Sequence, residues 1–166
     1  SIMGMNPSHF SSTGPRKEIV SDLDTKNLPV DNVTWNDAVK FCAKLSQKHG
    51  LNPTYVRAGD TVTPLQVNGY HLPTEAQWEF ACRAGTATKF EVGDTREGLV
   101  RASWTEYTSR GRTHAVGELA ANPFGLFDIH GNVWEWVGET WDPIYYQQFS
   151  ERSGIDPIAS DSATAV

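Results

Sequence analysis

The fold is decided by one stretch of the sequence, Asn122-Pro-Phe-Gly-Leu-Phe-Asp-Ile-His-Gly-Asn-Val-Trp-Glu-Trp136. It combines aromatic side chains with two predicted tight turns, at Gly125 and Gly131, because glycine reaches the positive φ angles that other residues resist. The apolar residues between the two predicted turns are expected to reach a core: Leu126, Phe127 and Ile129. The pattern predicts a folded loop held by its own side chains, not a long helix or strand.

Two carboxylates, Asp128 and Glu135, flank the second predicted turn. Carboxylate oxygens and turn carbonyls are the hard ligands that Ca²⁺ prefers. The spacing does not match an EF-hand. From spacing alone, two solvated acids beside a turn are therefore the simpler interpretation, and a calcium site is the alternative.

The overall composition limits the classes of function. A chain of 166 residues fits one domain with its own core. The formal charge of −6, without a basic run, argues against nucleic acid or an anionic membrane as the main partner. No apolar run approaches the roughly 18 residues of a membrane span. The first residue is Ser1, so we expect a piece of a longer protein; the compartment stays open.

Two helices are predicted from capping and periodicity. The first runs from about Trp35 to His49, with Thr34 and Asp37 as a capping box. Its expected buried stripe is Ala38, Phe41, Cys42 and Leu45. The second opens at Pro73-Thr74 and ends at Gly85, with Trp78, Ala81 and Cys82 on one face. Both cysteines are therefore predicted to be buried thiols.

Several titratable residues have a plain interpretation. Glu75 and Glu79 could form an acid–base pair, but neither has a neighbouring His or Lys in the sequence, so exposed helix-starting acids are favoured. His9 is interpreted as a surface or capping histidine. Elsewhere we expect a hairpin over Pro53 to Tyr70 with Pro64 on an edge strand. Short β segments are predicted at 88–92, 102–104 and 113–116, and residues 150–166 are predicted to be poorly ordered.

Several motifs, in this order, resemble the formylglycine-generating enzyme (sulfatase-modifying factor) family. They are Met3-Gly-Met-Asn-Pro-Ser-His-Phe10, Pro29-Val30, Val33-Thr-Trp-Asn-Asp-Ala38, Gly69-Tyr-His-Leu-Pro-Thr-Glu-Ala-Gln-Trp-Glu79, Ala81-Cys-Arg-Ala-Gly-Thr86 and the stretch 124–136. The resemblance covers about the first 146 residues. It implies an α+β, C-type-lectin-like fold of the formylglycine-generating-enzyme type, loop-rich, with two main helices and short strands. It also implies that residues 1–166 form a single domain that is incomplete at both ends.

The resemblance implies a structural Ca²⁺ ion in the loop 124–136. Its ligands would be the side chains of Asp128 and Glu135 and the main-chain oxygens of Gly131 and Val133. Trp134 would line the substrate pocket. The family's other calcium site should fall near 103–110, where the expected acid is missing, so we do not assign it here.

Family enzymes oxidise a cysteine in a Cys-x-Pro-x-Arg segment of a sulfatase to formylglycine, with O₂ and with Cu(I) held by two cysteines. Thiolates suit Cu(I), but Cys42 and Cys82 match structural helix cysteines of the family, so no residue here is assigned a catalytic role. The resemblance favours a bacterial oxidoreductase-family domain that is inactive as given. Its expected partner is a sulfatase-like peptide. The alternatives are a non-catalytic lectin-like binding module, attached to a kinase or surface protein, and an ergothioneine sulfoxide synthase-type domain.

Overall fold

The computed structural model describes residues 2–59 and 61–139. The described residues divide into two compact units. The first contains 2–3, 34–59, 61–78 and 136–139, and the second contains Gly4–Val33 and Glu79–Glu135. The aromatic segment 141–146 and the predicted disordered tail at 150–166 lie outside the described residues.

The first unit contains helix α1, Trp35–Lys48. Thr34 caps it as predicted: its hydroxyl accepts from the backbone N–H of Asp37 at 3.2 Å, and the Asp37 carboxylate accepts from the backbone N–H of Thr34 at 3.1 Å. These two bonds satisfy donors that a helix start leaves unpaired. The helix ends one residue before the predicted end, with His49 as its C-cap and Gly50 at a φ of 69°.

The buried face of α1 differs from the predicted stripe. Val39, Cys42 and Ser46 are buried, whereas Phe41 is 40% exposed, so the prediction for Phe41 was wrong. Ser46 explains the shift. Its hydroxyl donates to the main-chain oxygen of Cys42 at 2.8 Å and accepts from the backbone N–H of Tyr70 at 2.8 Å, which brings the segment around Tyr70 onto this side of the helix.

The predicted hairpin is confirmed. Strand β1, Tyr55–Ala58, pairs antiparallel with strand β2, Thr61–Pro64, in the register Tyr55↔Pro64 and Ala58↔Thr61. The Tyr55 hydroxyl accepts from the backbone N–H of Leu72 at 3.0 Å. Helix α2, Glu75–Arg83, follows. Its capping box is also confirmed, because the Thr74 hydroxyl accepts from the Gln77 N–H at 3.1 Å and the Gln77 side chain accepts from the Thr74 N–H at 3.0 Å.

The acids of α2 behave as surface groups. Glu75 and Glu79 are exposed, and Glu79 pairs with Arg83 one turn on, at 2.7 Å. Exposed pairs at this spacing contribute a few tenths of a kcal/mol at most, about 0.3–0.5 kcal/mol. The interpretation of Glu75 and Glu79 as exposed helix-starting acids is therefore confirmed.

The second unit contains two 3-10 helices, Lys17–Val20 and Thr25–Asn27, and helix α3, Arg96–Ala102. The predicted β segments at 88–92, 102–104 and 113–116 were wrong. The described part of this unit has one isolated bridge, Phe90 with Gly93, and no longer ladder. Thr95 is the N-cap of α3, because its side-chain oxygen accepts from the Gly98 backbone N–H at 3.2 Å, and Ala102, which was predicted to be in a strand, is the last residue of this helix.

Polar residues occupy much of the interior of the second unit. Val20 is fully buried, and so are the hydroxyl residues Ser8 and Ser103. Such an interior depends on paired hydrogen bonds, because a buried polar group without a partner is costly. None of the helices in the described part of the chain has the length and apolar character needed to cross a membrane.

Candidate functional site

The first half of the loop is built around Asn122, which is buried. Its side-chain oxygen accepts from the backbone N–H groups of Phe124 and Leu126, both at 3.0 Å. Its amide nitrogen donates to the main-chain oxygen of Ala81 at 2.8 Å, near the end of α2. Gly125 has a φ of 80°, so the first predicted turn is confirmed.

The aromatic and aliphatic side chains of this turn do not form a core. Leu126 is 40% exposed and Phe127 is 52% exposed, so the prediction that these two side chains reach a core was wrong. The polar side chain of Asn122 occupies the buried position instead. Phe124 is exposed and packs against the exposed ring of Phe80, with 5.5 Å between ring centroids.

The second turn is confirmed, but with different residues at positive φ. Asp128 has a φ of 59° and Asn132 a φ of 72°, and the Gly131 N–H donates to the Asp128 main-chain oxygen at 3.0 Å. Gly131 is not in the left-handed region. A Cβ at Gly131 would collide with the main-chain oxygen of Trp104, so glycine is needed here for close approach.

Asn132 fixes the end of this turn. Its backbone N–H donates to the Trp104 main-chain oxygen at 2.8 Å. Its side chain accepts from the His114 backbone N–H and donates to the His114 main-chain oxygen, each at 3.0 Å. The rings of Trp104 and His114 stack at 3.7 Å with 7° between their planes. The turn is therefore attached to two other segments of the second unit.

Asp128 has one satisfied and one unsatisfied carboxylate oxygen. Oδ2 accepts from the Gly117 backbone N–H at 2.8 Å. Oδ1 is buried and has no hydrogen-bond partner within the described residues. Leaving a charged oxygen in this state costs more than leaving a neutral group. A buried carboxylate oxygen with an open coordination position fits a cation.

The other predicted ligands lie in the same loop. Glu135 is exposed, and the Gly131 main-chain oxygen accepts from the Val133 N–H at 2.9 Å, which leaves it a second lone pair. Residues 2–59 and 61–139 contain no group of three or more His, Cys, Asp or Glu side chains arranged for a metal. A cation here would therefore need main-chain oxygens beside the two acids, which is a donor set suited to Ca²⁺.

A second cluster, formed by Cys82, Glu91 and His130, lies in the same unit and was missed by the sequence analysis. His130 Nε2 contacts the Glu91 carboxylate, and the Cys82 Sγ lies 3.5 Å from His130 Nδ1. The edge of the Phe90 ring faces the imidazole at 5.9 Å between centroids. No spacing in the sequence links positions 82, 91 and 130, so no pattern could have predicted this cluster.

Both cysteines are free and buried, as predicted. Burial, and then the negative charge of Glu91, raises the pKa of Cys82 to about 11. Burial also raises the pKa of Cys42. His9 is half-exposed and its Nδ1 lies 3.2 Å from Asp31, which also accepts from the His9 backbone N–H at 2.8 Å. This agrees with the interpretation of His9 as a surface histidine.

Trp134 is fully exposed and presents its ring to solvent. An exposed indole next to the second turn can stack on a ligand or pack against a cation. The structure therefore places three kinds of group in one loop, namely two carboxylates, a set of turn carbonyls and an aromatic face.

The family is decided by comparison with known proteins. The family model described as "Sulfatase-modifying factor enzyme 1-like domain" matches residues 1–161. The chain belongs to this family. It is 30% identical to a formylglycine-generating enzyme of Thermomonospora curvata over 92% of this chain and 46% of that protein. It is 29% identical to the chaperone protein LppX of Paenibacillus barcinonensis, over 83% of this chain and 56% of LppX.

Solved structures give the fold. Treponema denticola variable protein 1 matches with a TM-score of 0.72 and 31% identity, over 96% of this chain and 60% of that chain. The fold is therefore the loop-rich α+β fold of the formylglycine-generating-enzyme type, as the family resemblance implies. The chain spans about half the length of the curated relatives that it matches.

Proposed function

We propose that this chain is a calcium-binding part of a formylglycine-generating-enzyme-type domain. The ion would be held by the side chains of Asp128 and Glu135 and by the main-chain oxygens of Gly131 and Val133. The observation that carries the proposal is the buried Oδ1 atom of Asp128, which has no hydrogen-bond partner within the described residues. A Ca²⁺ ion would supply the missing partner and would balance the two negative charges.

The role of the ion would be structural. Two side-chain and two main-chain oxygens make four of the six to eight ligands that Ca²⁺ takes, and water can complete the shell. The residues around the ligands already hold the turn: Gly117 fixes one Asp128 oxygen, and Asn132 is attached to Trp104 and His114. Binding would thus tie the end of the loop, near Glu135, to a turn that is otherwise complete.

The chain as given would not oxidise a sulfatase cysteine. The family chemistry needs Cu(I) on a pair of thiolates. Cys42 and Cys82 are buried and match structural helix cysteines of the family, so neither is proposed as a copper ligand. We assign the oxidation of a Cys-x-Pro-x-Arg segment with O₂ and copper to family members that carry the copper-binding cysteines.

The exposed ring of Trp134 would contribute to binding such a peptide. The arginine of a Cys-x-Pro-x-Arg segment is a flat cation that can lie on an indole face, an interaction of about 0.5–1 kcal/mol at an exposed site. Binding by this surface alone would therefore be weak. The proposal is that the chain retains part of a substrate-binding surface without the copper centre.

The proposal is tested with calcium and copper in separate experiments. Isothermal titration calorimetry of the metal-free protein should show one Ca²⁺ site, and Asp128→Ala should lose it. In the second experiment, the protein is incubated with Cu(I), O₂ and a Cys-x-Pro-x-Arg peptide, and mass spectrometry follows conversion to formylglycine. We expect none. Copper-dependent turnover by the unmutated chain, or turnover that survives in Cys42→Ala and Cys82→Ala variants, would contradict the copper part of the proposal.

A further inference from the structure

The imidazole of His130 is enclosed on several sides by residues from one other part of the second unit. Glu91 contacts Nε2, Cys82 lies 3.5 Å from Nδ1, and the Phe90 ring meets the imidazole edge to face. The side chains of Glu91 and His130 are only 6% and 11% exposed. A carboxylate buried to this extent is expensive unless it is paired and hydrogen-bonded, and His130 provides that pairing.

The contact between Glu91 and His130 can affect the proposed calcium site, because of where His130 lies in the loop. His130 lies between Asp128 and Gly131, so its backbone belongs to the turn that would hold the ion. The Gly117 N–H fixes Asp128 before it, and the Trp104 main-chain oxygen fixes Asn132 after it. Within the described residues, Ile129 and His130 make no main-chain hydrogen bond to another segment, and the side chain of His130 links this part of the turn to Glu91.

We propose that Glu91 is a positioning residue for the calcium loop, acting through His130. This inference rests on the calcium site proposed above. By holding the imidazole, Glu91 would fix the turn in the conformation that aims the Asp128 carboxylate and the Gly131 main-chain oxygen at the ion. When a residue that fixes the orientation of metal ligands is removed, the metal affinity typically falls by roughly 10–100-fold.

Glu91 acts here as a hydrogen-bond acceptor and not as a metal ligand. Its carboxylate is engaged with His130, and the described residues contain no group of three or more His, Cys, Asp or Glu side chains arranged for a metal. An amide oxygen can accept the same hydrogen bond. Replacement by glutamine should therefore preserve the positioning, whereas replacement by alanine should remove it.

The experiment compares calcium affinity with stability in matched variants. Isothermal titration calorimetry gives the Ca²⁺ dissociation constant, and thermal melting in chelator gives the stability of the metal-free protein. Glu91→Ala should weaken calcium binding about tenfold, and Glu91→Gln should stay within about threefold of the unmutated chain. The control is Ser46→Ala, which removes a buried hydroxyl with two hydrogen bonds in the first unit. It should lower the melting temperature and leave calcium affinity unchanged.

Each outcome decides between the two proposals. If the unmutated chain does not bind calcium, the proposed function fails and the positioning role fails with it. If the unmutated chain binds calcium and Glu91→Ala binds it with equal affinity, only the positioning role is overturned. If Glu91→Ala does not fold, the calcium dissociation constant is measured for Glu91→Asp instead, because the shorter aspartate side chain cannot keep the same contact with His130. Equal calcium affinity in that variant would overturn the role.

Discussion

Gly117 donates its backbone N–H to one carboxylate oxygen of Asp128 at 2.8 Å, while the other oxygen of the same carboxylate is buried and has no partner in the part of the chain that the structure describes. The side chain is therefore held in a fixed direction and only half satisfied. A solvated carboxylate would expose both oxygens to water, so the burial of Oδ1 favours the proposed calcium site over two solvated acids.

The first prediction concerns the chemistry of Asp128. Asp128→Asn keeps an oxygen at the ligand position but removes the charge, so it should bind Ca²⁺ more weakly than the unmutated chain. Asp128→Ala removes the ligand and should abolish binding. In chelator, Asp128→Asn should be more stable than the unmutated chain, because the asparagine variant no longer buries an uncompensated negative charge. Calorimetric titration and chelator melts of both variants check this. Equal calcium affinity in the alanine variant would exclude Asp128 as a ligand.

The second prediction concerns the thiols. Native mass spectrometry without reductant should find two free cysteines, and iodoacetamide should modify Cys82 slowly at neutral pH. The pKa of Cys82 is raised from 9.0 to about 11, so its thiolate fraction should keep rising between pH 9 and pH 11. In this window the folded state holds a proton that the unfolded state has lost, so stability should fall as pH rises. Fast labelling of folded protein at pH 7, or a bridge between Cys42 and Cys82, would contradict the structure.

The third prediction compares two glycines of the central loop. Gly131→Ala places a Cβ against the Trp104 main-chain oxygen and should cost about 1–3 kcal/mol, because backbone atoms must move. Gly125→Ala is the control. Its Cβ would meet nothing within 4 Å, and only the φ of 80° is unfavourable, at a cost of roughly 1–2 kcal/mol. Urea denaturation in calcium measures both. Calcium affinity should fall in Gly131→Ala and stay unchanged in Gly125→Ala.

The fourth prediction separates the exposed aromatic face from the metal site. Trp134→Ala should leave the melting temperature and the calcium affinity unchanged, because its side chain is fully exposed. It should weaken the binding of a dye-labelled Cys-x-Pro-x-Arg peptide, measured by the fluorescence anisotropy of the dye. The control peptide has arginine replaced by glutamine. Equal binding of both peptides, or unaltered binding by the variant, would show that Trp134 has no role in recognition.

The parts of the fold that depend only on interactions between residues close in sequence could be predicted. The caps at Thr34 and Thr74 and the hairpin were predictable because each depends on a few neighbouring residues. Helix α3 was not predicted, because residues 96–102 include a glycine and lack a regular apolar stripe. Its cap at Thr95 was the available signal. The exposure of Phe41 and Phe127 could not be predicted either, since it depends on which distant segment packs beside them.

The candidate site also has parts that could be predicted from the sequence and parts that could not. The positions of Asp128 and Glu135 follow from the motif, but their spacing alone favours two solvated acids, and it is the family resemblance that implies a role as calcium ligands. The unsatisfied oxygen of Asp128 and the approach of Gly131 to Trp104 depend on residues more than ten positions away. Glu91 carries no sequence signal at all, because its partner His130 is 39 residues further along the chain. Long-range pairing of this kind requires the three-dimensional structure.

The most direct test of the calcium site is thermal melting of the unmutated chain in excess Ca²⁺ and in excess chelator. Calcium at about one hundred times its dissociation constant should stabilise the folded state by roughly 2.7 kcal/mol. For a chain of this size that corresponds to a rise of roughly 5–10 °C in melting temperature. Asp128→Ala and Glu135→Ala should lose most of this rise, and the surface controls Glu75→Ala and Glu79→Ala should keep it. Identical melting curves in calcium and chelator, for the folded unmutated chain, would contradict the account.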